Sequence, residues 1–79
     1  MWYVYLAECK DGTFYCGITT DVERRISEHN CSKRGARYTR SRRPIRLIGF
    51  KEQENRSQAL IVENRVKKMT RDKKLNFFS

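Results

Sequence analysis

Five side chains in this sequence are of the types that phosphoryl chemistry needs. They are the phenols of Tyr5 and Tyr15, the guanidinium of Arg25, the imidazole of His29 and the carboxylate of Glu63. Cutting a phosphodiester takes a positioned nucleophile, neutralised phosphoryl charge and a stabilised leaving oxygen. Glu63 offers a hard oxygen that could hold one Mg²⁺ or Mn²⁺, with water and phosphate completing the shell. Arg25 has the planar fork that suits non-bridging phosphate oxygens. His29 suits an acid/base partner and a phosphate ligand equally well. Each group also has a plainer role: sheet packing for the tyrosines, a satisfied structural imidazole for His29, and a structural ion pair between Arg25 and Glu63. Arg24 reads as solvated.

For these groups to meet, the chain must bring them to the edges of a few elements. Residues 2–9, WYVYLAEC, read as a strand, KDG as a turn and residues 13–19, TFYCGIT, as a second strand. A one-residue slip in the hairpin would move every side chain to the other face. A two-residue loop at Asp11-Gly12 would put Tyr5 and Tyr15 on opposite faces. A three-residue loop with Gly12 left-handed pairs Cys9 with Thr13, sets Tyr5 opposite Gly17, and gathers Tyr3, Tyr5 and Tyr15 on one face. The second register is preferred here, with Gly17 leaving space for a phosphate beside Tyr15. Thr20-Asp21-Val22-Glu23 matches a capping box with Thr20 as N-cap. On the helix that follows, Val22, Arg25, Ile26 and His29 fall in one stripe facing the sheet.

Residues 31–43 hold Lys33, Arg34, Arg37, Arg40, Arg42 and Arg43 with no acid, and Tyr38 lies among them. This segment reads as a loop, with one helical turn over 36–40. Basic side chains there bind phosphate without reading sequence, and Tyr38 can stack on an exposed base. Lys67 extends the same track, and Lys68, Arg71, Lys73 and Lys74 are further candidates. A solvated charged loop is the plainer alternative. After Pro44, IRLIGF predicts a third strand with Ile45, Leu47 and Gly49 on one face. Ser57 is the expected cap of a long helix whose stripe is Ala59, Val62, Val66 and Met69, with Glu63 at its border. Residues 70–73 read as a break before a short end carrying Leu75, Phe77 and Phe78.

Seventy-nine residues suit one small domain, and a net charge of +9 favours an anionic partner, nucleic acid before a membrane surface. No run approaches the roughly 18 apolar residues of a spanning helix, and the N-terminus lacks the pattern of a secretory signal. Cys9, Cys16 and Cys31 show no CxxC spacing, so reduced thiols in a cytoplasm are expected, with Cys16 a buried hydrophobe.

YVY at 3–5, YCG at 15–17, then Arg25, His29 and Glu63, together resemble the GIY-YIG nuclease superfamily. More narrowly, nearly the whole chain looks like the small standalone bacterial proteins of that group, including the GITTDVERRISEHN and RYTRSRRP segments. Tyr3, Val4 and Cys16 depart from the family tripeptides, whereas the Tyr5 and Tyr15 hydroxyls and Gly17 are retained. The resemblance implies an α/β fold of the α+β type over residues 1–79, a three-stranded antiparallel sheet flanked by helices in a single domain. It implies a metal-dependent endonuclease acting on DNA, or on RNA, as a monomer, with Tyr5 taking the proton of the attacking water and Tyr15 orienting it. A phenol is a weak base at neutral pH, so a metal or arginine would have to depress Tyr5. A non-catalytic nucleic-acid-binding module of the same fold is the alternative. A peripheral membrane or protein-interaction domain is a third reading, resting on charge and Phe77-Phe78 alone.

Overall fold

The computed structural model describes residues 1–31 and 37–79. Its elements run β1 (Trp2–Glu8), β2 (Phe14–Thr19), α1 (Val22–Cys31), α2 (Arg37–Arg40), β3 (Arg46–Gln53), α3 (Arg56–Lys67) and α4 (Arg71–Phe78). The strands form one antiparallel sheet in the order β2-β1-β3. This is the expected α+β arrangement.

The near-continuous apolar run of β1 reflects its central place, with both faces covered. Val4 and Leu6 face one core, with Cys16, Ala59, Val66 and Phe78. Tyr5 and Ala7 face the other, with Cys9, Val22 and Ile45. Helices α3 and α4 therefore cover one side of the sheet and α1 the other. Burying Val4 and Leu6 contributes about 1.5–3 kcal/mol each.

The hairpin settles the register. Gly12 has φ +84°, Gly12 N–H donates to the Cys9 carbonyl at 2.9 Å, and Cys9 N–H donates to the Thr13 carbonyl at 2.8 Å. Asp11 Oδ1 accepts from the Thr13 backbone N–H and hydroxyl, pinning the turn. Tyr5 then pairs with Gly17 and Ala7 with Tyr15, so Tyr3, Tyr5 and Tyr15 share the face under α1.

The third strand departs from expectation. It runs to Gln53, and an irregularity in its pairing turns its pattern over: Ala7 pairs with Leu47, but Leu6 pairs with Gly49. The extra residue puts Gly49 on the face opposite Ile45 and Leu47, against Phe78. Both long helices also start with caps other than those expected. Asp21, not Thr20, caps α1, its Oδ1 accepting from Arg24 N–H at 3.1 Å. Asn55, not Ser57, caps α3, accepting from Gln58 N–H at 2.9 Å. The break at 70–73 is the start of α4, with Thr70 as its cap. Among the described residues no helix is long and apolar enough to cross a membrane.

Asn55→Ala should lower stability by about 1 kcal/mol in urea unfolding, the usual value of an N-cap. Ser57→Ala, inside the first turn of α3, should stay within about 0.5 kcal/mol of the parent.

Candidate active site

The hairpin sets Tyr5 under α1, and the stripe on α1 supplies what Tyr5 meets. The ring of Tyr5 lies across Gly17, where an added Cβ would stand 2.6 Å from the phenolic oxygen. Gly17 therefore makes room for the Tyr5 hydroxyl itself, not for a phosphate beside Tyr15. That hydroxyl is 2.7 Å from His29 Nε2, and His29 Nδ1 is 2.8 Å from Thr39 Oγ1. Arg25, one helical turn before His29, brings its charge to bear on the same phenol. Tyr5 is 1% exposed, and His29 and Thr39 are fully buried. Tyr15 is half-buried at the edge of this line, its ring 5.2 Å from His29 and 6.3 Å from Tyr5.

Burial governs the protonation states. It pushes the Tyr5 phenol up from its ordinary value, aided by Tyr15 and opposed by Arg25. Arg25 by itself lowers the phenol less than the loss of water raises it. Burial, joined by the charge of Arg25, brings His29 down to about 4, so its imidazole is neutral at pH 7.

Glu63 is not part of this cluster. It sits on α3, on the other side of β2, with its side chain 13% exposed and 3.7 Å from Lys67 Nζ. Its charge also bears on the thiol of Cys16, which burial chiefly pushes up to about 12. The ion pair foreseen between Arg25 and Glu63 is replaced by one between Arg25 and Glu28, at 3.0 Å on the same helix face. Tyr15 and Cys16 are adjacent on edge strand β2 and point to opposite faces. A groove of about 260 Å³ runs past that edge, lined by Phe14, Tyr15, Cys16, Tyr38, Lys67 and Lys74. It draws a phenol of the buried cluster and the lysine that neutralises Glu63 onto one surface. Another hollow, of about 280 Å³, lies at the start of α1. It is lined by Asp21 and Glu23 and would repel an anion, so the groove is the better phosphate site.

The basic candidates divide. Arg37, Tyr38 and Arg40 are exposed on α2, and Tyr38 stacks on Tyr15 at 6.0 Å. Arg42 ties the turn to α2: it pairs with Asp11 at 3.0 Å, donates to the Tyr38 carbonyl and covers the Tyr38 ring at 4.0 Å. Arg43 donates from Nε to the His29 carbonyl. Arg71 reaches Glu8, the Gly12 carbonyl and the face of Phe14, so it too holds the fold. Lys67 and Lys74 line the groove; Lys33 and Arg34 lie outside the described residues. Sequence reasoning missed Glu28 and Thr39. Glu28 was legible as an i+3 acid to Arg25, whereas Thr39 reaches His29 only through the tertiary fold.

Gly17→Ala should cost about 1–3 kcal/mol by overpacking against the Tyr5 ring, read as a drop in unfolding midpoint. The chain has one histidine, so its titration can be followed by NMR without ambiguity. Its folded pKa, about 4, lies below the ordinary 6.5, so the unfolded chain takes up the proton first. This contribution to stability should be complete above pH 6.5 and lost as pH falls towards 4. His29→Gln should flatten that part of the pH–stability curve.

A family model for the GIY-YIG catalytic domain matches residues 1–76. A UPF0213 protein of Desulfotalea psychrophila is 49% identical over 73 residues, covering 92% of this chain and 66% of the relative. One from Haloquadratum walsbyi is 51% identical over 72 residues, covering 91% of this chain and 80% of the relative. The solution NMR structure of a UPF0213 protein from Bacillus halodurans superposes with a TM-score of 0.58 at 46% identity, covering 98% of this chain and 82% of that one. The chain belongs to the GIY-YIG catalytic-domain family.

Proposed function

We propose that this protein hydrolyses phosphodiester bonds in DNA at the β2 edge, with the help of one divalent cation. The observation that carries this reading is the Tyr5–His29 hydrogen bond, with the charge of Arg25 acting on the same phenol, beside a groove lined by lysines. A buried phenol with a raised pKa is a poor base alone, but Tyr5 has a proton acceptor at 2.7 Å. Passing its proton to His29 Nε2 while taking one from water lets Tyr5 act without standing as phenolate, and Arg25 stabilises the charge that develops on its oxygen. Tyr15, half-buried at the rim, orients the water or the phosphate. Arg37, Arg40, Lys67 and Lys74 hold the nucleic-acid backbone, Tyr38 packs beside it, and none of these contacts reads bases.

Among the described residues no three His, Cys, Asp or Glu side chains gather as a metal site. The donor set is one carboxylate, Glu63, which suits a Mg²⁺ or Mn²⁺ ion bound mostly through water and phosphate. Such an ion would supply charge for the phosphoryl and leaving oxygens. Lys67, 3.7 Å from Glu63, is the counter-charge a cation has to displace.

Purified protein should nick supercoiled plasmid in Mg²⁺ or Mn²⁺, and chelation should abolish the nicking. Glu63→Ala and Arg25→Ala should remove it, and Tyr5→Phe should slow it by at least about 100-fold. Cleavage that survives Glu63→Ala and Arg25→Ala would sink the assignment. Salt-sensitive DNA binding with no metal-dependent cleavage would make this a binding module instead.

A further inference from the structure

Four consecutive residues of α2 divide their work. Arg37, Tyr38 and Arg40 are exposed, whereas Thr39 is fully buried with its hydroxyl 2.8 Å from His29 Nδ1. We propose that Thr39 is a positioning residue: by accepting a hydrogen bond from Nδ1–H it fixes the tautomer of His29 and keeps Nε2 bare towards Tyr5.

The assignment follows from counting donors. The phenol hydrogen is buried with its ring and needs an acceptor, and His29 Nε2 stands at 2.7 Å. A neutral imidazole carries one hydrogen. If Nε2 accepts, that hydrogen is on Nδ1, and the group it meets is Thr39 Oγ1. The threonine hydroxyl can accept while its own hydrogen turns elsewhere. Without that acceptor, a buried Nδ1–H loses its partner and the opposite tautomer becomes competitive. In that tautomer Nε2–H points at Tyr5 and cannot take its proton. The short α2, whose exposed face carries the proposed DNA contacts, thereby sets which way the buried line can conduct.

The consequence for turnover rests on the phosphodiesterase reading; the hydrogen-bond assignment does not. Both are tested by two measurements on the same variants. In ¹⁵N-labelled protein near pH 7, the single imidazole should show a protonated Nδ1 and a bare Nε2. Thr39→Val should shift the tautomer ratio towards Nε2–H by roughly tenfold, and Thr39→Ser should restore the wild-type pattern. In cleavage assays Thr39→Val should lower kcat by about tenfold or more with KM unchanged, and Thr39→Ser should recover it. A wild-type imidazole protonated at Nε2 overturns the proposal, and needs no variant to fold. An unchanged tautomer in a folded Thr39→Val, or a change in KM alone, also overturns it. If the wild type does not cleave DNA, the functional reading fails while the tautomer result still decides the role of Thr39.

Discussion

The 2.7 Å bond between the Tyr5 hydroxyl and His29 Nε2 is the constraint on which the rest of this molecule depends. A phenolic hydroxyl in the middle of a sheet must find partners, because an unpaired buried polar group costs more than most packing contacts return. Satisfying it dictates several features at once. Helix α1 has to cross the sheet over β1, which its stripe of Val22, Ile26 and His29 achieves. The neighbouring strand has to be bare opposite Tyr5, which Gly17 achieves. The second imidazole nitrogen then needs its own partner, and Thr39 on α2 meets it. The segment leading to β3 is held in turn: Asn30 exchanges two hydrogen bonds with the backbone of Ile45, at 2.7 and 3.0 Å, and Arg43 caps the His29 carbonyl. One polar contact thus propagates through two helices and the return to the sheet.

What could be read in the sequence was what depends on period and turn chemistry. The KDG turn allowed two registers, and the one preferred for gathering the phenols, with Gly12 left-handed after a three-residue loop, is the one that forms. The i, i+3, i+4 and i+7 spacing placed Arg25 and His29 towards Tyr5. Both signals are local, because backbone geometry alone relates the residues. The failures were of two kinds. At helix starts, several residues competed for each cap: Thr19, Thr20 and Asp21 all carry side-chain oxygens, and Thr19 hydrogen-bonds Asp21 N–H and so leaves Asp21 to cap. At β3, the extra residue answers to α4, where Phe78 packs on Gly49, and nothing within IRLIGF encodes that. The arrangement of the candidate residues was legible only in part. Glu63 was expected beside Arg25, yet it comes to β2 from the opposite face.

The same distinction applies to charge. A net +9 reads as an electrostatic footprint, but the cations are not equivalent. Arg42, Arg43, Arg46 and Arg71 are engaged with Asp11, the His29 carbonyl and Glu8, where they staple the hairpin to the helices. Such exposed pairs contribute little individually. Here they also use up guanidinium groups that a sequence count would assign to DNA. The lysines of the groove sit differently: Lys67 and Lys74 line it beside Tyr15. An ammonium is a compact, strongly hydrated charge that suits phosphate without demanding bidentate geometry. Four arginines are thus spent on the fold, while Arg37 and Arg40 on α2 and the two groove lysines stand where an anion could meet them.

For the phosphodiesterase proposed above, placing the site across an edge strand would resolve a conflict between the two kinds of group it needs. A relay through Tyr5 and His29 has to be dry, so that each hydrogen bond has a defined direction and the imidazole stays neutral. A carboxylate meant for a hydrated cation has to reach water, and near the relay its charge would pull His29 towards protonation. Putting both on one face would compromise each. Strand β2 separates them: Tyr15 points towards the relay, and Cys16, its neighbour, points towards Glu63. Among the described residues β2 pairs only with β1, and the groove along its other edge is lined by side chains from both faces of the sheet. In the proposed function the sheet would then separate the buried Tyr5–His29 pair from the Glu63 carboxylate, with the groove running past the strand between them.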